Sequence, residues 1–193
     1  MGQRLVVEVN GFGKTICTVY YHWDAYTMST LYDAKKFIDL NLQDCKTEEE
    51  VILKVIRFCE SYGGGVCYNS MDDVKKMFPN EEFRGDADRN YGLVDISEEG
   101  MYRSLSWAEG NLIIDLINET VYTNVYSTWD SVEECKEYYC FDNDEEEVDL
   151  SEFPNSELSI TSFPFEDIDA VIDAVDSCAA PFWYNGEIYG RIE

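Results

Sequence analysis

Two short stretches near the start of the chain alternate apolar and polar side chains, the period-two pattern of half-buried strands. "RLVVEV" and "TICTVYYHW" flank "NGFGK", whose Asn-Gly pair and second Gly supply hairpin chemistry, so strands are expected at 3–10 and 14–23. The period then lengthens. Leu31, Ala34, Phe37, Ile38 and Leu42 recur at helical spacing, which predicts a helix from Ser29 to Asp44. The run Thr47 to Glu50, "TEEE", is a capping box, so a second helix is expected to reach Tyr62 and stop at Gly63-Gly64-Gly65. Its apolar stripe is Val51, Ile52, Val55, Ile56 and Cys59. "SMDDVKKMF" reads as a short helix capped by Ser70 and ended by Pro79.

The segment "NEEFRGDADRNYG" is polar and turn-rich and marks the best internal boundary. Beyond it, "YGLVDIS", "MYRSLSW", "NLIIDLI" and "TVYTNVYS" are four β-like runs with turns at Glu99-Gly100, Glu109-Gly110 and Asn118-Glu119. They predict an antiparallel meander. "SVEECKEYYC" predicts a helix starting near Asp130, and "PFEDIDAVIDAVDSC" another with Phe165, Ile168, Val171, Ile172 and Val175 on one face. "FWYNGEIYGRI" predicts a closing hairpin around Asn185-Gly186. The expected class is therefore α+β, with an antiparallel sheet of hairpins and a central meander and about four to five helices. Residues 1–80 form an N-terminal hairpin-plus-helix region and 81–193 an acidic sheet-and-helix region, as two units or one continuous domain.

Charge changes the picture. The 193 residues carry a formal net charge of −26, yet aromatics make up 15% of them, too many for a disordered chain. Residues 1–97 hold 16 acids and 11 bases, whereas 98–193 hold 24 acids against only Arg103, Lys136 and Arg191. "FDNDEEEVDLSEF" (Phe141 to Phe153) places seven carboxylates in thirteen residues without one base. A net charge of roughly 2–8 in magnitude suffices for solubility, and self-repulsion beyond it opposes compaction. The second half is thus more acidic than solubility requires. Direct nucleic-acid binding is disfavoured, because that needs clustered Lys and Arg, and an anionic membrane would repel this surface. The seven cysteines, an odd number at irregular spacing, and an N-terminus "MGQRLVVEV" without an apolar signal core predict reduced thiols in a cytosol. No run approaches the roughly 20 apolar residues of a membrane span.

Candidate chemistry is sparse. "GFGKT" (Gly11 to Thr15) resembles the end of a phosphate-binding loop, but Glu8 stands where that loop needs its first Gly, and a strand rather than a helix follows. His22, the one histidine, lies in "YYHWDAYT". A Cys17–His22 pair would need both side chains on one face, which a five-residue offset on a strand does not give. The cysteine spacings do not match zinc knuckles, and Glu147 replaces the glycine of a calcium loop, so neither a metal nor a cofactor is expected.

The carboxylates themselves carry the sharper expectation. Side chains at i and i+2 on a strand lie about 6.6–6.8 Å apart, close to the roughly 6–7 Å between successive phosphates of a nucleic-acid strand. At i and i+4 on a helix they lie about 5–6 Å apart. Glu133, Glu134 and Glu137, then Asp142, Asp144, Glu145, Glu146, Glu147 and Asp149, supply both spacings, and Glu166, Asp169, Asp173 and Asp176 add a helical stripe. These residues are the expected partner-binding surface.

The N-terminal pattern "MGQRLVVEV", followed by "YYHWDAYT", resembles small acidic proteins of phages and prophages of Gram-positive bacteria, over about the first forty residues. That class includes anti-CRISPR and anti-restriction inhibitors, several of which mimic DNA. The resemblance implies, by class rather than by residue, a non-enzymatic inhibitor in the bacterial cytosol. Its partner would be a basic nucleic-acid-binding protein, a CRISPR effector such as Cas9 or a restriction enzyme. Two rivals remain: an enzyme or ligand-binding module using the His22 aromatic region, and a structural or regulatory protein whose charge confers only solubility.

Overall fold

The computed structural model describes residues 4–25, 27–68, 71–86, 89, 91–95, 108, 110–125, 162–184 and 187–192. Strands β1 (Leu5–Gly11) and β2 (Lys14–Tyr21) form the expected N-terminal hairpin. Its turn is Phe12-Gly13, with φ of 52° and 82°, because Gly11 still pairs with Lys14. Positive φ at both central residues is the tight turn that matches strand twist. Gly13 adopts it freely, whereas Phe12 does so at a steric cost.

Helix α1 (Thr27–Asp39) buries Leu31, Ala34 and Phe37, three of the residues that predicted it. It stops five residues earlier than the periodicity suggests. Asn41 turns left-handed at φ 52°, a conformation Asn tolerates, and Leu42–Asp44 continue as a 3-10 turn. Helix α2 (Glu48–Tyr62) starts on the capping box: Thr47 Oγ1 accepts from the Glu50 amide at 3.3 Å, and the Glu50 carboxylate accepts from the Lys46 amide at 2.6 Å. Gly63, at φ 94°, ends it, and its amide donates to the Cys59 carbonyl.

There follow β3 (Gly64–Tyr68), α3 (Met71–Met77), β4 (Gly85–Asp86), β5 (Tyr91–Asp95), β6 (Gly110–Asp115), β7 (Thr120–Val125), β8 (Ser162–Pro164), a 3-10 turn (Phe165–Asp167), α4 (Ile168–Asp176), β9 (Cys178–Tyr184) and β10 (Glu187–Ile192). The class is α+β. One eight-stranded sheet runs β4-β5-β3-β2-β1-β6-β7-β8, so strands from both sides of residue 81 share it. β9 and β10 pair antiparallel as the closing hairpin, Tyr184 opposite Glu187.

Two pairings differ from the expected meander. β5 lies parallel to β3, and β6 lies parallel to β1, with β3, β2 and β1 between β5 and β6. Period-two alternation identifies a strand but not its neighbour, and a parallel neighbour is reached only by a long crossover. Here α3 lies in the crossover from β3 to β5. "MYRSLSW" and the helix expected near Asp130 lie outside the described residues.

The sheet has two unlike faces. On one, Leu5, Val7, Val9, Val19, Val66, Leu93, Leu112, Ile114, Val121 and Phe163 are buried in a continuous cluster with residues of α1, α2 and α4. From α2 come Val51, Ile52, Val55, Ile56, Phe58 and Cys59, and from α4 Ile168, Val171, Ile172 and Val175. On the other face Val6, Tyr20, Cys67 and Val94 form a smaller cluster.

Candidate functional site

Of the expected partner-binding residues, Glu133, Glu134, Glu137, Asp142, Asp144, Glu145, Glu146, Glu147 and Asp149 lie outside the described residues. Glu166 lies on the 3-10 turn before α4, and Asp169, Asp173 and Asp176 lie on α4 itself. All four are exposed, opposite the buried apolar stripe. The helix is amphipathic in the ordinary sense, apolar in and charged out, but its charge has one sign. Asp169, 74% exposed, accepts from Lys35 of α1, and this hydrogen bond raises the Lys35 pKa. The last turn of α4 holds Asp173 and Asp176 and no base. A helix C-terminus carries partial negative charge from its unpaired carbonyls, so these two carboxylates sit where the backbone repels them.

A second cluster lies at the C-terminal end of β2, in the stretch that contains the one histidine. The Tyr20 hydroxyl and His22 Nδ1 share a 2.9 Å hydrogen bond, and the rings of His22 and Trp23 meet edge-on at 5.0 Å. Cys17 is not near this arrangement in chemistry or in place. It packs in the helix-side core, where burial and then neighbouring Cys67 push its thiol up to about 12. A thiol held protonated is a poor nucleophile. Cys17, Cys45, Cys59 and Cys67 are free thiols.

His22, Trp23 and Asp24 wall a cleft of about 520 Å³ together with Tyr21, Asp33 and Lys36, the α2 end at Phe58 and Tyr62, and Gly63, Gly64 and Arg89. Gly64 is required there: at φ 91°, an added Cβ would come 2.7 Å from the Tyr21 ring. Trp23 and Tyr62 are 55% and 75% exposed, and Tyr62 stacks on Phe58 at 5.2 Å. Asp33 is the opposite case, 4% exposed. Its Oδ1 accepts from Lys36 Nζ at 2.8 Å, while its Oδ2 is buried without a hydrogen-bond partner. Burial raises the Asp33 pKa, and the bond and charge of Lys36 only partly oppose that.

The sequence pattern points to the His22 neighbourhood but not to Asp33 or Tyr62. A signal for Asp33 was present: Thr30, Asp33 and Phe37 stand at i, i+3 and i+7, so a carboxylate interrupts the buried stripe of α1. Nothing local marks Tyr62, which enters the cleft because α2 ends there.

Among the described residues, no group of three His, Cys, Asp or Glu side chains is placed to hold a metal ion, and no helix is long and apolar enough to cross a membrane. No protein-family model, curated protein or solved structure matches the chain.

Proposed function

We propose that this chain is a binding protein without chemistry of its own, which occupies a basic surface of its partner with an acidic face. The observation that carries this reading is the last turn of α4. Asp173 and Asp176 stand at the end of a helix where the backbone field opposes them, with no base in that turn. Carboxylates placed against local stability fit a surface selected for an encounter. The charge balance of residues 98–193, 24 acids against three bases, has the same sign.

The partner of matching chemistry is a protein whose own ligand is nucleic acid, with a basic channel that rows of carboxylates fill in place of phosphates. In the form that the phage-protein resemblance implies, it is a host DNA-handling nuclease, a CRISPR effector such as Cas9 or a restriction enzyme, met in the bacterial cytosol.

The test is capture from a bacterial lysate followed by competition. A captured nuclease that duplex DNA displaces, and whose association slows when Glu166, Asp169, Asp173 and Asp176 are changed to Gln and Asn, supports the reading. The difference between parent and variant should shrink as salt is raised, since screening removes the steering field from both. Equal association rates at low salt, or a partner indifferent to DNA, overturn it.

A further inference from the structure

We propose that the cleft at the end of β2 binds a guanidinium group, with Asp33 as its acceptor and Trp23 and Tyr62 as its stacking walls. The inference does not rest on the acidic face of α4; it rests on three features of the cleft.

The first is a missing donor. Asp33 is 4% exposed, Lys36 serves its Oδ1, and its Oδ2 has none. Buried carboxylate oxygens are ordinarily satisfied, so the group that completes this site must bring an N–H or O–H. The second is charge. Asp24 and Asp33 line the cleft with Lys36, which neighbours Asp33 on α1, and with Arg89, which pairs with Asp86. With Asp86 counted beside Arg89, three acids meet two bases. The third is shape. Trp23 and Tyr62 leave large aromatic surfaces open to solvent beside that carboxylate.

A guanidinium meets all three conditions at once. It is planar, permanently charged, able to donate in parallel to a carboxylate, and weakly hydrated enough to stack on aromatic rings. An ammonium is a compact, strongly hydrated point charge that uses flat walls poorly. The molecule already holds one guanidinium by the same means. Arg57 lies over the Phe83 ring at 5.1 Å from its centroid while donating to the carboxylates of Glu60 and Glu81. The cleft offers the same combination of ring and carboxylate, with one carboxylate oxygen still without a donor. Its volume of about 520 Å³ admits a side-chain-sized ligand. Lys36, whose side chain is half exposed, is the movable wall: a swing away from Oδ1 opens the carboxylate to the incoming group.

The guanidinium could belong to a free small molecule or to an arginine of a polypeptide, and one set of titrations separates them. The full-length chain is titrated calorimetrically with N-acetylarginine amide, with its lysine and citrulline counterparts, and with a Gly-Arg-Gly peptide blocked at both ends. A salt concentration of about 0.5 M suppresses diffuse attraction to the acidic surface. Saturable binding of the arginine compound, at least about tenfold tighter than either counterpart, is the expected result. Peptide binding that exceeds the amide by a further factor of about ten assigns a polypeptide source, and equal binding a small molecule. Asp33→Asn should weaken binding about tenfold, and Tyr62→Ala, at an exposed position, about threefold. Binding absent up to about 20 mM, equal binding of lysine or citrulline, or an Asp33→Asn variant that binds like the parent would each overturn the proposal.

Discussion

Helices α2 and α4 pack into the same core and treat charge in opposite ways. In α2 the acids Glu48, Glu49 and Glu50 occupy the first turn, where the helix field favours them, and Lys14 pairs with Glu48. Further along, Arg57 joins Glu60 to Glu81, and Lys54 Nζ caps the carbonyls of Leu40 and Asn41 beyond α1. In α4 one acid lies in the first turn, two more close the last turn, and the helix contains no base. Both helices bury complete apolar stripes, so packing does not distinguish them. In α2 charge holds neighbouring segments to one another; in α4 Asp169 does so through Lys35, while Asp173 and Asp176 face outward. The same residue types thus act as scaffold in one place and as exposed field in the other.

The two helices share their packing only if α4 is docked as firmly as α2. Ile56→Ala and Ile172→Ala each remove a buried branched side chain from the shared cluster. Each should cost about 2–5 kcal/mol of unfolding free energy, the range for deleting buried methyl and methylene groups from a packed core. Urea denaturation of the two variants measures this directly. A cost below about 0.5 kcal/mol for Ile172→Ala alone, well under that range, would mean that α4 rests on the sheet without belonging to its core. Its acids would then need no structural account.

How much of this could be read beforehand follows from the range of each signal. The α2 boundaries were legible because cap, stripe and terminating glycine all lie within the helix and its flanks. The stripe of α4 and of the turn before it was legible for the same reason: Phe165, Ile168, Val171, Ile172 and Val175 are all buried. The positions of β5 and β6 were not, since alternation is a local property whereas parallel pairing joins segments far apart in sequence. The cleft was half legible. His22 and Trp23 stood out by composition, but Asp33 and Tyr62 join them only through the docking of α1 and α2 on the sheet.

Asp33 gives the second test, because among the described residues it is the acid that is buried without full satisfaction. Burial raises its pKa above the ordinary carboxylate value of about 3.9. In the window from that value up to the raised one, the native state binds more protons than the unfolded chain. Its stabilising contribution is therefore complete below the ordinary value and is lost as pH rises through the folded one. Asp115 behaves in the opposite sense. Burial would raise its pKa, but the Asn118 side chain and the amides of Asn118 and Ile117 lower it, so its contribution is lost as pH falls through its folded pKa. Asp33→Asn should accordingly stabilise the protein at pH 7, and the gain should vanish near pH 4. Denaturant midpoints at the two pH values check it. A destabilised variant at pH 7 would show that the Lys36 bond outweighs the burial of the charge.

The smallest effects discriminate best, because the two helices should respond with opposite sign. Asp173→Asn with Asp176→Asn removes two negative charges from the negative end of α4, and each should stabilise by about 0.3–1 kcal/mol at low salt. Glu48→Gln with Glu49→Gln removes two from the positive end of α2, and each should destabilise by about the same amount. The four positions are exposed or half-exposed and the replacements nearly isosteric, so packing is not disturbed. Both effects should fade as the ionic strength approaches 1 M, where the Debye length falls to about 3 Å. If neutralising Asp173 and Asp176 destabilises instead, those carboxylates are structural, their counter-charges must come from elsewhere in the chain, and the proposed binding face loses the observation that carries it. If the signs differ as expected, α4 retains its acids at a cost to its own stability, and association with the captured partner becomes the property to measure in the same variant.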